Sequence, residues 1–115
     1  ALSLVINWAA AHQTFFVGRA ERQGGGGYHQ PVVGWAGVWP ATDWSYLGIT
    51  GRVLRRVLKE EGFHFGEVLD RWVERGWIEV GEKTTRPLRG VNGSTLSCYC
   101  ITKEAVTAAM AEEMV

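Results

Sequence analysis

The chain opens on two interleaved apolar stripes at helical spacing. Leu2, Val5, Ile6, Ala9 and Phe16 make one, and Leu4, Trp8, Ala11 and Phe15 make the other. The pattern predicts a helix over residues 2–21 that is apolar on more than one side. Gly24-Gly25-Gly26-Gly27 ends it, and four glycines in a row read as a flexible link over residues 24–31. From Val32 to Ile49 the period changes to two. Val33, Trp35, Gly37 and Trp39 alternate with Gly34, Ala36 and Val38, turn residues follow at Pro40-Ala41-Thr42-Asp43, and Trp44 to Ile49 returns. This predicts a β-hairpin with Trp39 facing Trp44 across a four-residue loop.

Thr50 is placed to cap the next helix through its hydroxyl. Residues 51–61 are strongly amphipathic and stop at Gly62. A second helix is expected from about Gly66 to Arg75, stopped by Gly76, so the pair reads as helix-turn-helix. Trp77-Ile78-Glu79-Val80 has the look of a strand, and residues 82–94 form a polar loop with Gly and Pro. Thr95 to Thr102 alternates as a strand with Leu96, Cys98 and Cys100 on one face, and Lys103 to Met114 closes as a helix. No internal repeat is present. The order predicts a single small α+β domain of the winged-helix type, a helix-turn-helix with a β-hairpin wing at residues 82–94. Its parts are an N-terminal helix over 1–23, which is a candidate junction to a parent protein, a Gly-rich linker over 24–31, and the winged helix over 32–115.

A length of 115 residues allows one core, and 46% apolar residues with six Trp argue that it is a packed one. No run approaches the roughly 18 apolar residues of a membrane span, and no membrane partner is expected. The chain lacks an initiator Met and begins mid-pattern, so we expect a piece of a longer protein. No basic segment precedes the apolar stretch, and Trp8 and His12 interrupt it, unlike a signal peptide. The two cysteines, Cys98 and Cys100, read as small buried apolar side chains and point to a reducing, cytoplasmic setting.

Candidate chemistry is sparse. His12, His29 and His64 lie far apart, and neither CxxC nor HxxxH spacing occurs, so no metal site is expected. The glycine run lacks the strand, helix and Lys that a phosphate-binding loop needs. Glu60-Glu61 sits at a helix end facing solvent, and no local Ser-His-Asp or Cys-His pairing is present. We therefore expect no enzyme, with no catalytic, cofactor or metal-binding residues. Trp35, Trp39, Trp44 and Tyr46 read first as hairpin packing and second as a stacking surface for unpaired bases.

Charge placement says more. Twelve Lys and Arg balance twelve Asp and Glu over the whole chain, but not locally. Residues 52–103 hold ten basic groups against seven acidic ones, while residues 104–115 hold three acids and no base. Arg52, Arg55, Arg56 and Lys59 recur at i, i+3, i+4 and i+7 and share one helix face opposite Val53, Leu54, Val57 and Leu58. The wing adds Lys83, Arg86 and Arg89, with no acid between Lys83 and Lys103. The second helix buries Val68, Leu69 and Trp72 and leaves Glu67, Asp70, Arg71, Glu74 and Arg75 outside, with Arg71 and Arg75 able to reach guanine edges. The nine basic residues together predict binding to duplex DNA, mainly through phosphates. The alternative is a protein-docking module that uses the apolar N-terminal helix and the Trp-rich hairpin.

These residues carry a resemblance. Trp8-Ala9-Ala10 followed by Phe15-Phe16, Val57-Leu58 before Gly62-Phe63, Val68-Leu69, Arg75-Gly76-Trp77-Ile78 and Cys98-Tyr99-Cys100-Ile101 together look like the C-terminal winged-helix module of primase–helicase-like replication ATPases of phages, plasmids and integrative elements. The resemblance spans most of the chain and rests on structural motifs. It implies a helicase-associated module that recognises origin or forked DNA, or docks a partner, with the remainder of a parent replication protein performing catalysis. No Walker motif is present, so no ATPase or primase activity carries over.

Overall fold

The computed structural model describes residues 1–19, 34–80, 83–89 and 95–113. Helix α1 (Leu2–Ala11) leads through a turn of 3₁₀ helix (Gln13–Phe15) into strand β1 (Phe16–Val17). Strands β2 (Gly37–Val38) and β3 (Tyr46–Thr50) precede helices α2 (Gly51–Glu60) and α3 (Phe65–Glu74). Strands β4 (Arg86–Arg89) and β5 (Thr95–Thr102) then lead directly into helix α4 (Lys103–Glu113). The strands form one mixed sheet in the order β1-β2-β3-β5-β4, with β1 and β2 parallel and the other pairs antiparallel. The result is a small α+β domain.

The helices cover one face of this sheet. Leu47, Ile49, Tyr99 and Ile101 meet Val5, Ile6 and Ala9 of α1, Val53, Leu54, Val57 and Leu58 of α2, Val68 and Trp72 of α3, and Ala105, Val106 and Ala109 of α4 in one core. The opposite face carries a second, smaller cluster of Leu88, Cys98 and Cys100, flanked by Val38, Tyr46 and Leu96. Two glycines make this sheet possible. A Cβ at Gly37 would strike the Gly48 carbonyl, so that position has no room for a side chain, and one at Gly48 would displace the end of the Leu88 side chain.

The α2–α3 pair is built by its ends. After α2, Gly62 adopts φ +81°, its N–H donates to the Lys59 carbonyl (3.0 Å) and the Phe63 N–H to the Leu58 carbonyl (2.9 Å). Gly76 repeats the device after α3 at φ +73°, with the Trp77 N–H donating to the Trp72 carbonyl (2.9 Å). These paired bonds satisfy carbonyls that a helix end leaves orphaned. His64 caps α3 through Nδ1, which accepts from the Glu67 N–H (3.4 Å), and Thr102 Oγ1 caps α4 by accepting from the Ala105 N–H (3.3 Å).

Several sequence expectations are corrected. The first helix ends at Ala11 rather than 21, because Phe16 and Val17 gain strand pairing with Gly37 and Val38 and Phe16 is buried in extended form. The hairpin forms, but its register pairs Val38 with Gly48, so Trp39 and Trp44 lie in a longer connection. They still meet edge-on at 5.7 Å. Thr50 occupies the N-cap position of α2 without a side-chain hydrogen bond, and its buried hydroxyl has no partner among the described residues. Of residues 77–80, only Ile78 makes a bridge, to Ile101. The expected wing loop contains β4, an edge strand whose buried side chain is Leu88. The expected glycine link at 24–31 and residues 82 and 90–94 of the expected wing lie outside the described residues.

Candidate nucleic-acid interface

Helix α2 turns Arg52, Arg55, Arg56 and Lys59 to solvent while Val53, Leu54, Val57 and Leu58 are all at most 3% exposed. No acidic residue interrupts residues 51–59. Arg55, Arg56 and Lys59 have no ion-pair partner among the described residues. The stripe is flanked by aromatic rings: the Arg55 guanidinium lies 4.7 Å from the Phe65 ring centre, and that of Arg56 5.9 Å from Trp8. Trp8 in turn stacks on His12 at 4.4 Å, and His12 Nδ1–H donates to the Trp8 carbonyl (2.8 Å).

The other basic candidates lie elsewhere. Arg86 pairs across the ladder with Cys98, on the sheet face away from the helices, where it bridges Glu79 (3.0 Å) and lies 5.7 Å from the Tyr46 ring. Arg89 is exposed on the same strand but alternates with Leu88 and so belongs to the helix side, and Lys83 is exposed just before the strand. Arg71 and Arg75 are exposed on α3 and line a groove with residues of α1 and α4. The nine candidates thus form one continuous stripe of four on α2 and five residues at three other places: Arg71 with Arg75, Arg86, and Lys83 with Arg89. Between them, the solvent face of α3 presents Glu67, Asp70 and Glu74, all exposed.

Trp35 and Trp39 are buried, at 8% and 2% exposure, and Trp44 is half-buried. This agrees with the first reading of these residues, hairpin packing, and not with the second, a stacking surface for bases. One cation here had no signal in the sequence spacing. Arg19 lies 3.5 Å from the Trp39 ring centre, its Nε donates to the Trp39 carbonyl (3.2 Å), and burial lowers its pKa from the ordinary value. Among the described residues no group of three His, Cys, Asp or Glu side chains gathers as metal ligands would, and no helix is long and apolar enough to cross a membrane.

Comparison with protein-family models finds none that matches the chain, and comparison with curated proteins finds no match.

Proposed function

We propose that this domain is a winged helix that binds duplex DNA through its phosphates, as the DNA-binding module of a larger mobile-element replication protein. The fold reading rests on the succession β3, α2, α3, then the β4–β5 hairpin, with β5 lying between β3 and β4 and the helices packed on one face. The functional reading rests on one observation: α2 presents four cations on its solvent face with no acid among residues 51–59, its single acid, Glu60, standing at the last position. A solvated helix face ordinarily mixes signs, whereas a phosphate-tracking face does not. Arg52, Arg55, Arg56 and Lys59 are the primary contacts, with Lys83 and Arg89 of the wing as secondary ones. The acidic face of α3 opposes deep entry of that helix into a groove, so the contact is to the backbone and carries little sequence preference. The docking alternative has less to stand on. Leu2, Val5, Ile6, Ala9, Trp35 and Trp39 are spent inside the domain's own packing.

The test is the double substitution R55A/R56A with binding measured on several duplexes across a salt series. Both side chains are exposed, so folding changes by about 0.5 kcal/mol or less for each. Wild-type affinity is expected to be weak, in about the micromolar range or weaker, and to fall steeply with salt. The variant binds every duplex less tightly, and its salt slope drops by about two, one for each lost phosphate contact. Equal affinity of the two proteins at every salt concentration overturns the proposal.

A further inference from the structure

A second surface stands apart from the α2 stripe and differs from it in kind. Between α1, α3 and α4 lies a groove of about 290 Å³, lined by no residue of α2. Its floor is apolar, made by Leu2, Val68 and Trp72 together with Ala105 and Ala109, whose small side chains leave the space. One wall carries Arg71 and Arg75, a single turn apart. The Arg75 guanidinium carbon lies over the Trp77 ring, 4.9 Å from its centre, a cation–π contact that uses none of its N–H donors. No carboxylate lines the groove, and neither arginine has an ion-pair partner among the described residues.

We propose that this groove binds a short acidic peptide segment of a partner protein, with one apolar side chain on the floor and neighbouring carboxylates on Arg71 and Arg75. The apolar floor decides against nucleic-acid backbone, which has no side chain to bury there. The size fits one side chain and not a folded surface. The exposed carboxylates of Glu67, Asp70 and Glu74 lie outside the groove lining, so they repel a long polyanion laid along α3 more than a short acidic segment held in the groove beside the arginines. Planar guanidinium and carboxylate groups pair in bidentate fashion, which fixes the segment's register. This surface is independent of the DNA reading.

The experiment uses the whole chain and a short fluorescein-labelled peptide of Asp and Glu with one central Phe, followed by fluorescence anisotropy. Two companion peptides replace the Phe by Ser, or every carboxylate by its amide. The parent peptide binds, and each companion binds more weakly by roughly tenfold or more, the loss expected for a charge-assisted hydrogen bond or a buried aromatic side chain. R71A/R75A weakens the parent peptide to the same degree. Ala108→Trp, at an exposed position on the groove's rim, blocks it while leaving the core untouched. R55A/R56A leaves peptide binding unchanged, and R71A/R75A lowers duplex affinity only by the small, salt-screened amount that charge on α3 contributes at a distance, far less than R55A/R56A does, so the two surfaces fail separately. The proposal is overturned by any of three results: no binding of the parent peptide, equal binding of the Ser companion, or duplex DNA that displaces the peptide and loses as much affinity in R71A/R75A as in R55A/R56A.

Discussion

Cys98 and Cys100 alternate with Tyr99 and Ile101 on β5, so one strand feeds two cores. Both are free thiols and fully buried. Burial pushes the Cys98 thiol from its ordinary 9.0 up to about 12, with the neighbouring Cys100 adding to the shift, and pushes Cys100 up to about 11. A thiolate is therefore favoured in the unfolded chain before it is tolerated in the folded one. Below about pH 9 both states keep their protons and these thiols put no slope on stability. As pH rises from about 9 towards 11 the unfolded state holds fewer protons, and stability falls by up to roughly 1.4 kcal/mol per pH unit for each thiol. Denaturant midpoints of wild type and the C98A/C100A variant, taken from pH 7 upward, check this. The wild type loses stability with pH more steeply than the variant, whose remaining slope belongs to other groups. The strand alternation that puts both cysteines on one face was legible from Leu96, Cys98 and Cys100 alone. Their burial was expected from the residue type as well; what covers that face was not legible, because it depends on Leu88 lying over Gly48, a contact between residues far apart in the chain.

Helices α2 and α3 owe their separation to four residues, 61–64, and two of these give opposite tests. Gly62 sits at φ +81° with open space where a Cβ would go, so an alanine meets no neighbour and suffers only the left-handed backbone. That costs about 1 kcal/mol, with up to about 2 as the upper range. His64 caps α3 with a long bond of 3.4 Å, and a short carboxylate is the better cap and also suits the helix dipole. Urea unfolding is expected to place Gly62→Ala below wild type and His64→Asp above it by about 0.5–1 kcal/mol. Both helices were readable in the sequence because an amphipathic stripe runs from one glycine stop to the next. Strand β4 was not readable: Arg86, Pro87 and Arg89 look like a loop, and Leu88 is its single buried side chain. An edge strand needs no alternating pattern, only a partner for one side of its backbone, and proline is tolerated there. The reverse holds at 77–80. Its pattern suits a strand, but β4 already occupies β5 from Thr95 to Cys98, and Ile78 finds only the remaining length at Ile101. Trp39 and Trp44 show a third case, in which the composition of a hairpin was visible and its register was not.

A chain with no net charge can still carry a strong dipole, and this one segregates its charge by helix. The solvent side of α2 is positive and the solvent side of α3 is negative, through Glu67, Asp70 and Glu74. Sequence spacing gave both faces, yet it grouped Arg71, Arg75 and Arg86 with the α2 stripe because they share its sign. Packing separates them, since Arg86 belongs to the far side of the sheet and the α3 arginines to the groove. The segregation has a consequence for a duplex docked on α2. Neighbouring helix axes lie about 8–10 Å apart, close to the Debye length of about 8 Å at physiological salt, so the α3 carboxylates are only partly screened from the phosphates. Neutralising them as E67Q/D70N/E74Q is expected to tighten duplex binding several-fold at low salt, on the order of 0.3–1 kcal/mol in total. The gain shrinks as salt rises, because screening removes the repulsion that the substitutions relieve. The three side chains are exposed, and R55A/R56A should erase most of the gain along with the binding itself. Titrating the same duplex against wild type, the triple variant and the five-fold variant across salt checks the geometry as well as the charge. A triple variant that matches wild type at low salt would put the duplex beyond the reach of α3, on the Arg56 flank of the α2 stripe beside Trp8 rather than the Arg55 flank beside Phe65.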